Sequence, residues 1–494
     1  MEKPTMHMLT VQDKGGQTRR GTQYLAAVAA AIGAVIAGTI LAWTSPALPQ
    51  LEPYSNKTDT NNTCDLASFG NSSHLVNSKC QLADFLLDTT ELSVVSSILA
   101  IGAAIVALPV GFLAQRIGRR PTILILAIPF MLNWLLTIFA NGSGMLVAAR
   151  FIAGLGTGGI CVAAPMYIGE IAETSIRGAL GAFFQLFLTV GILFTFAVGG
   201  WTHWRTLSIV SAVLPPLLVA VFWWMPETPQ YLLSKNRRRD AEKTLRWLRG
   251  PDADLTAELE DMQKEVDDAS RHRAGMLSII TNRASRMALV CGLGLMFFQQ
   301  FSGINAVIFY TNQIFKSAGS NIPAEIATII VGVVQTIATY ISSVLVEKAG
   351  RRILLLQSCI IMGCCLIVLG AYFKLQTDGY DVASVGWLPL LCLVLFIISF
   401  SMGFGPIPWM MMAELFPVEF RGTATGFTVI TNWVLVFVVT LCFPILQVAI
   451  GIYSCFWIFA AIMIVCIFFV FFLIPETKGK TISQIQAILA GKSI

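Results

Sequence analysis

The chain contains twelve apolar runs long enough to cross a lipid bilayer, and this limits its fold more than any other feature. They cover residues 24–48, 91–114, 121–140, 144–168, 178–200, 205–225, 286–315, 322–346, 353–373, 386–412, 424–446 and 452–474. A spanning helix needs about 20 apolar residues. In hydrocarbon every backbone N–H and C=O must be satisfied inside the protein, so the runs are read as helices. Pro and Gly interrupt several of them, which is tolerated where the freed groups find partners or line a cavity. Composition agrees: 55% of the 494 residues are hydrophobic and only 12% are charged. An average soluble domain is about 25% charged, and a mean hydropathy of +0.72 cannot be hidden inside a water-soluble core.

The polar connections orient the spans. With the N-terminus in the cytoplasm, Arg116, Arg119, Arg120, Arg177, Lys348, Arg351, Arg352, Arg421, Lys478 and Lys480 all fall inside. Lys57, Lys79, Lys316 and Lys374 fall outside, which is the positive-inside bias. Asn56, Asn61, Asn71 and Asn141 each head an N-x-[ST] glycosylation sequon, and all four lie in loops that the charges put outside. Cys64 and Cys80 share the first of these loops, as a disulfide or as two free thiols. The N-terminus lacks a signal-peptide pattern.

These features predict an all-α membrane protein with a cytoplasmic tail at 1–23 and a six-helix half at 24–225 that carries an extracellular glycosylated loop at 49–90. A cytoplasmic linker follows at 226–284, read either as a helical domain or as a solvated charged connection. A second six-helix half spans 285–474, and a cytoplasmic tail covers 475–494.

The two halves repeat motifs in the same order. Arg116-Ile-Gly-Arg-Arg after the second run is echoed by Glu347-Lys-Ala-Gly-Arg-Arg after the eighth. Glu170 and Arg177, followed by Gly178, are echoed by Glu414 and Arg421, followed by Gly422. Pro226-Glu227-Thr228 is echoed by Pro475-Glu476-Thr477. Such duplication marks transporter folds in which substrate binds between repeats near the midplane. The charged group comprises Arg119, Arg120, Glu170, Arg177, Glu227, Glu347, Arg351, Arg352, Glu414, Arg421 and Glu476. It can pair across helices and between halves to gate the inner side, or it can simply anchor helix ends. One exposed pair contributes about 0–1 kcal/mol, so gating needs the network.

With the segments PMYIGEIAETSIRG, PETPQYLL, QQFSGINAVIFYT, GPIPWMMMAELFP and PETKGKT, the chain closely resembles the sugar porter family of the major facilitator superfamily over essentially its whole length. TSPALPQ and QQFSGINAVIFYT are most similar to the insect facilitated trehalose transporters within that family. The resemblance implies alternating access about a central site for a small neutral sugar, trehalose or glucose. By motif it implies sugar contacts from Gln185, Gln299, Gln300, Asn305, Gln335, Trp409, Asn432 and Trp433, and an outer-gate tyrosine at Tyr310. Gln115 stands in place of the usual acid before Arg116, and Gln230 in place of an arginine. Ser401, Phe404, Gln335 and Val436 also depart from the family pattern.

Amides suit such a substrate. A sugar is uncharged and carries hydroxyls that donate and accept, and an amide does both without net charge. A Trp face packs on the C–H side of the ring while its N–H remains a polar handle. Residues 299 and 300 point about 100° apart on a helix, and Ser302-Gly303 could loosen the helix before Asn305. Isolated amides such as Asn133 and Gln357 are expected to tie helices together instead. Gly154, Gly156, Gly158 and Gly159 form a small-residue face for helix packing.

Proton coupling needs an ionisable group in the membrane whose charge changes. The first run contains no Asp, Glu or His, unlike proton-coupled relatives, so facilitated diffusion is expected over proton symport. Arg150 is the one intramembrane charge, either snorkelling or capping carbonyls, or serving a conformational role. A non-transporting sugar sensor is a third possibility. No nucleophile triad, phosphate loop or metal spacing is present, and His7, His74, His203 and His272 lie in predicted loops or tails. The expectation is therefore a monomeric plasma-membrane carrier with both termini cytoplasmic. Its contacts are sugar and lipid; no enzyme chemistry, cofactor, metal or nucleic acid is expected.

Overall fold

The computed structural model describes residues 20–52, 85–173, 175–251, 253–271, 283–319, 322–416, 421–480 and 482–491. Twelve helical spans of membrane length lie within them: Gly21–Leu51, Thr89–Ile117, Arg119–Ile138, Ser143–Ile171, Arg177–Gly199, Trp204–Phe222, Arg283–Ala318, Ala324–Val346, Arg351–Thr377, Leu388–Met412, Ala424–Ile450 and Ile452–Leu473. They are numbered here in chain order. Asn56, Asn61, Asn71, Cys64 and Cys80 lie outside the described residues, while Asn141 is exposed in the turn between the third and fourth spans.

Local sequence explains where the spans start and break. Asp88 and Glu91 form a capping box at the second span: the Asp88 carboxylate accepts from Thr89 N–H at 2.7 Å and Glu91 accepts from Asp88 N–H at 3.0 Å. The first span breaks at Trp43, between Gly21–Ala42 and Thr44–Leu51, just before Pro46. Pro46 offers no N–H, so it cannot serve the carbonyl one turn back. The seventh span breaks at Ser302-Gly303, where Gly303 adopts φ +87°, and the tenth at Gly403–Pro406.

Large apolar side chains on the bundle surface, including Phe112, Trp224, Val448 and Phe472, are exposed. Water would reject such a surface and lipid accepts it. Between helices lipid supplies no hydrophobic drive, so close packing must hold the bundle. The four fourth-span glycines divide into two faces. A Cβ on Gly154 would sit 2.0 Å from the Leu99 carbonyl oxygen, and one on Gly158 2.5 Å from that of Ala103, both in the second span. Gly156 and Gly159 instead receive Phe130 and Leu126 of the third span.

The connection after the sixth span folds into the helices Pro229–Ser234, Arg238–Arg249 and Thr256–Arg271. Tyr231, Leu232, Leu233, Ala241, Leu245, Leu255 and Leu259 form its own small core. It docks on the bundle through buried Arg249, which donates to Ile171 O at 2.9 Å and pairs with Glu258 at 2.7 Å. The helix Ile482–Leu489 folds back beneath the second half, with Ile485 and Leu489 buried and Gln486 donating to Leu415 O.

Candidate functional site

Two features stand out from the side chains: a buried amide cluster midway along the bundle, and a repeated charge motif at one end. Gln299, Gln300 and Asn305 come from the two pieces of the seventh span, and Asn432 from the eleventh. Gln300 is the hub. Its Nε2 donates to Asn432 Oδ1 at 2.7 Å and weakly to Gln299 Oε1 at 3.4 Å, and its Oε1 accepts from Asn305 Nδ2. The break at Ser302-Gly303 makes this possible, because Asn305 reaches Gln300 directly, which positions five apart on one straight helix would not do. A side chain at Gly303 would also meet the Phe459 ring at 2.8 Å.

Gln299 is placed differently from its neighbours. Its Nε2 donates to the Phe404 and Gly405 carbonyls, at 2.6 and 3.2 Å, which the break in the tenth span has freed. The motif implies a sugar contact for Gln299 and carries no sign of this second attachment, because the two segments lie about a hundred positions apart.

Two of the remaining expected contacts keep unused polar atoms. Trp433 is buried and its indole N–H has no partner among the described residues. Gln335 is buried in the eighth span and its Oε1 is likewise unpartnered. A leftover donor and a leftover acceptor fit a hydroxyl-bearing molecule, which can serve both. Trp409 is partly buried on the piece after the tenth-span break, and Gln185 partly buried on the fifth span among Phe183, Phe184 and Phe187. Gln185 does not join the amide cluster. Val436 and Ser401 are buried. Gln357 is exposed on the ninth span, and Asn133 is buried with both amide atoms unpartnered, so among the described residues neither ties helices together as expected.

Tyr310 lies beyond the cluster, away from the charge motifs. It is 2% exposed, departs from helical backbone angles and donates to Thr440 O at 2.9 Å. Around it the halves are joined. Thr44 Oγ1 donates to Phe309 O at 3.2 Å, Asn312 N–H donates to Ser45 Oγ at 3.2 Å, and Gln313 donates to Glu52. TSPALPQ, a family signature in the sequence, supplies one side of this junction.

At the opposite end the main bonds of the duplicated motifs recur in both halves. Arg119 pairs with Glu170 at 2.7 Å, and Arg351 with Glu414 at 3.0 Å. Glu227 accepts the backbone N–H groups of Arg119 and Arg120, and Glu476 those of Arg351 and Arg352. Arg120 donates to Trp223 O and Arg352 to Phe471 O. Each of these ion pairs lies within one half. Arg177 is exposed, and the side chains of Glu347 and Arg421 lie outside the described residues.

The copies differ in detail: Arg119 Nε also donates to Glu170 at 2.9 Å, whereas Arg351 Nε is buried without a partner among the described residues. Thr228 Oγ1 donates to Glu170 Oε2 at 2.6 Å, whereas the equivalent Thr477 Oγ1 and Glu414 Oε2 are both buried without partners among the described residues. Their third acids also differ electrostatically. Burial pushes the Glu227 carboxyl above the ordinary carboxylate range, against the N–H groups of Thr228, Arg120 and Arg119 that pull it down. Burial opposes ionisation of Glu476 as well, but the N–H groups of Lys478, Arg351, Arg352 and Thr477 together outweigh it and hold that carboxyl below the range.

The sign for stability follows. The Glu476 contribution is complete above the ordinary carboxylate pKa and is lost as pH falls through the depressed value; that of Glu227 is complete below the ordinary pKa and is lost as pH rises through the raised one. Glu476→Gln is therefore expected to lower Tm at neutral pH more than Glu227→Gln, and its deficit to shrink on acidification. Thermal unfolding of both variants in detergent, from about pH 7.5 to about pH 4, reads this directly. A larger neutral-pH loss for Glu227→Gln would refute it.

Twelve spans in two repeated halves, closed at one end around a buried amide cluster, are the framework of a membrane transporter of the major facilitator fold. Residues 25–489 match the family described as "Sugar (and other) transporter", and the chain belongs to that family. It is 41% identical over 473 residues to the facilitated trehalose transporter Tret1 of Drosophila erecta, covering 95% of this chain and 52% of that protein. It is 40% identical over 474 residues to trehalose transporter 1 of Drosophila melanogaster, and 39% identical over 473 residues to Tret1 of Anopheles gambiae. The chain spans about half the length of the curated relatives it matches. Among solved structures, the proton:xylose symporter XylE bound to 6-bromo-6-deoxy-D-glucose superposes with a TM-score of 0.73 at 25% identity, covering 94% of this chain and 99% of that one. The inward-open form of the xylose transporter XylE from E. coli gives 0.74 at 23% identity over 94% and 99% of the two chains, a likeness of fold.

Proposed function

We propose that the chain is a facilitative carrier of a neutral sugar, trehalose or glucose, working by alternating access in the plasma membrane. The observation that carries this reading is the uncharged amide cluster of Gln299, Gln300, Asn305 and Asn432, together with the buried polar atoms of Gln335 and Trp433 that have no partner among the described residues. A sugar hydroxyl can enter by exchanging with amide–amide bonds, so binding replaces hydrogen bonds already made and stays weak enough for release. Trp409 and Gln185 complete the contacts. The relatives called facilitated trehalose transporters support the substrate class.

The two halves, 24–225 and 285–474, rock about this site, linked through 226–284, with both termini cytoplasmic and the chain acting as a monomer. Tyr310 and its neighbours close the outer side. The paired arginines and acids brace the inner helix ends as each half moves. Proton symport, the activity in the name of one XylE structure, is the second reading. Against it stands the span Gly21–Leu51, which contains no Asp, Glu or His to cycle a proton.

Uptake of labelled trehalose and of labelled glucose into oocytes, at two external pH values, tests both readings. Saturable uptake indifferent to pH supports the facilitator. Uptake that rises on external acidification, with an inward current, supports the symporter. Uptake of neither sugar by surface-expressed protein would sink the sugar-carrier proposal.

A further inference from the structure

The proposed cycle leaves one buried charge without a task. Arg150 of the fourth span is 2% exposed and has no carboxylate partner among the described residues. It does not snorkel to the bundle surface. Its Nη1 donates to Ile40 O at 2.7 Å, its Nε reaches Val95 O at 3.4 Å, and its guanidinium lies 5.6 Å from the centre of the Trp43 ring. Nη2 has no partner among the described residues.

The carbonyl it grips is not an ordinary one. Ile40 is in the last turn of Gly21–Ala42, directly before the break at Trp43. Carbonyls in a turn where the helix is interrupted are left short of backbone donors, so a cation is favoured there even though Trp43 itself keeps helical angles. A desolvated cation in turn needs such carbonyls and an aromatic face to remain charged. The segment beyond the break, Thr44–Leu51, carries Thr44 and Ser45, which bond Phe309 and Asn312 in the other half; Glu52, just past it, takes Gln313. Tyr310 of that other half lies within electrostatic reach of Arg150, beside the Ser96 side chain.

We propose that Arg150 is a positioning residue for the gate: by capping the freed Ile40 carbonyl under Trp43, it holds the first-span break in the bend that sets Thr44, Ser45 and Glu52 against Phe309, Asn312 and Gln313. The planar guanidinium reaches the carbonyls of two helices at once, which a lysine ammonium on its flexible stem does less well. The effect on transport rests on the alternating-access reading; the effect on the gate does not.

The gate can be read without any sugar. Ser45→Cys places a small reporter that is 1% exposed while the gate is shut. Its labelling by a membrane-impermeant maleimide on intact cells is counted against the same chain lacking the reporter, and normalised to surface protein. Arg150→Met is expected to raise the labelling rate about tenfold and Arg150→Lys to raise it less, as the closed population falls. In a Tyr310→Phe background the increment should shrink, because both changes loosen one junction. A merely structural Arg150 would lower surface abundance without changing the rate per surface molecule. Unchanged rates in both Arg150 variants, or a full increment in the Tyr310→Phe background, overturn the assignment. If Arg150→Met does not reach the surface, Arg150→Lys and Trp43→Leu carry the test, and unchanged labelling in both has the same consequence. A wild-type chain that takes up no trehalose or glucose would defeat the proposed substrate and leave this measurement intact.

Discussion

Gln300→Leu is expected to reduce sugar uptake at least about 100-fold while folded protein still reaches the cell surface. Gln300 alone bonds Asn432, Gln299 and Asn305, so leucine removes one bond from each of two buried amides, Asn432 and Gln299, and one from the partly buried Asn305. Each buried polar group left unsatisfied costs about 1–3 kcal/mol, and two of these orphaned groups suffice for the expected factor. The amides lose both their mutual bonds and the template that presents them to a hydroxyl. Leucine is similar in length and apolar, so the packing of the seventh span survives better than with a smaller residue. Gln357→Leu is the control, since that amide is exposed and bonded to nothing among the described residues; its uptake should remain within about twofold of wild type. Initial rates normalised to surface protein decide the matter. Near-normal uptake by Gln300→Leu would remove the amide cluster from the substrate path.

Gly154→Ala is expected to do more damage than its single methyl suggests. The added Cβ would lie 2.0 Å from the Leu99 carbonyl oxygen, a backbone atom that cannot rotate away. The second and fourth spans would have to separate, and in lipid their packing is the main attraction between them. Overpacking a core costs about 1–3 kcal/mol where side chains can yield, and more is expected where only backbone can move. Surface expression should fall severely and the purified variant should unfold well below the wild type. Gly169→Ala on the same helix meets nothing within 4 Å and should be tolerated. Equal stability of the two variants would refute the close-packing account.

Much of the bundle is legible in the sequence alone, because each spanning helix must announce itself. A backbone that cannot bond to lipid has to be helical, and its side chains have to be apolar for about 20 residues. The repeated motifs were equally legible, since Arg119 and Glu227, or Arg351 and Glu476, recur with their neighbours in both halves. Sequence also identified Ser302-Gly303 as a weak point in the seventh span. It allows pairing of acids and arginines both across helices and between halves; the pairs described, Arg119 with Glu170 and Arg351 with Glu414, join different helices within each half.

What the chain determined by itself was thus the number of spans, their order, their duplication and the concentration of amides near residue 300. Those properties follow from local rules that act along the backbone. Tertiary structure alone decided that Gln299 braces the break in the tenth span, that Thr44 and Ser45 meet Phe309 and Asn312, and that Arg150 caps Ile40. Each joins segments about a hundred or more positions apart through one or two hydrogen bonds of a few ångströms. No periodicity records such a bond. It depends on where helices break and cross, and that is set by packing the whole bundle at once.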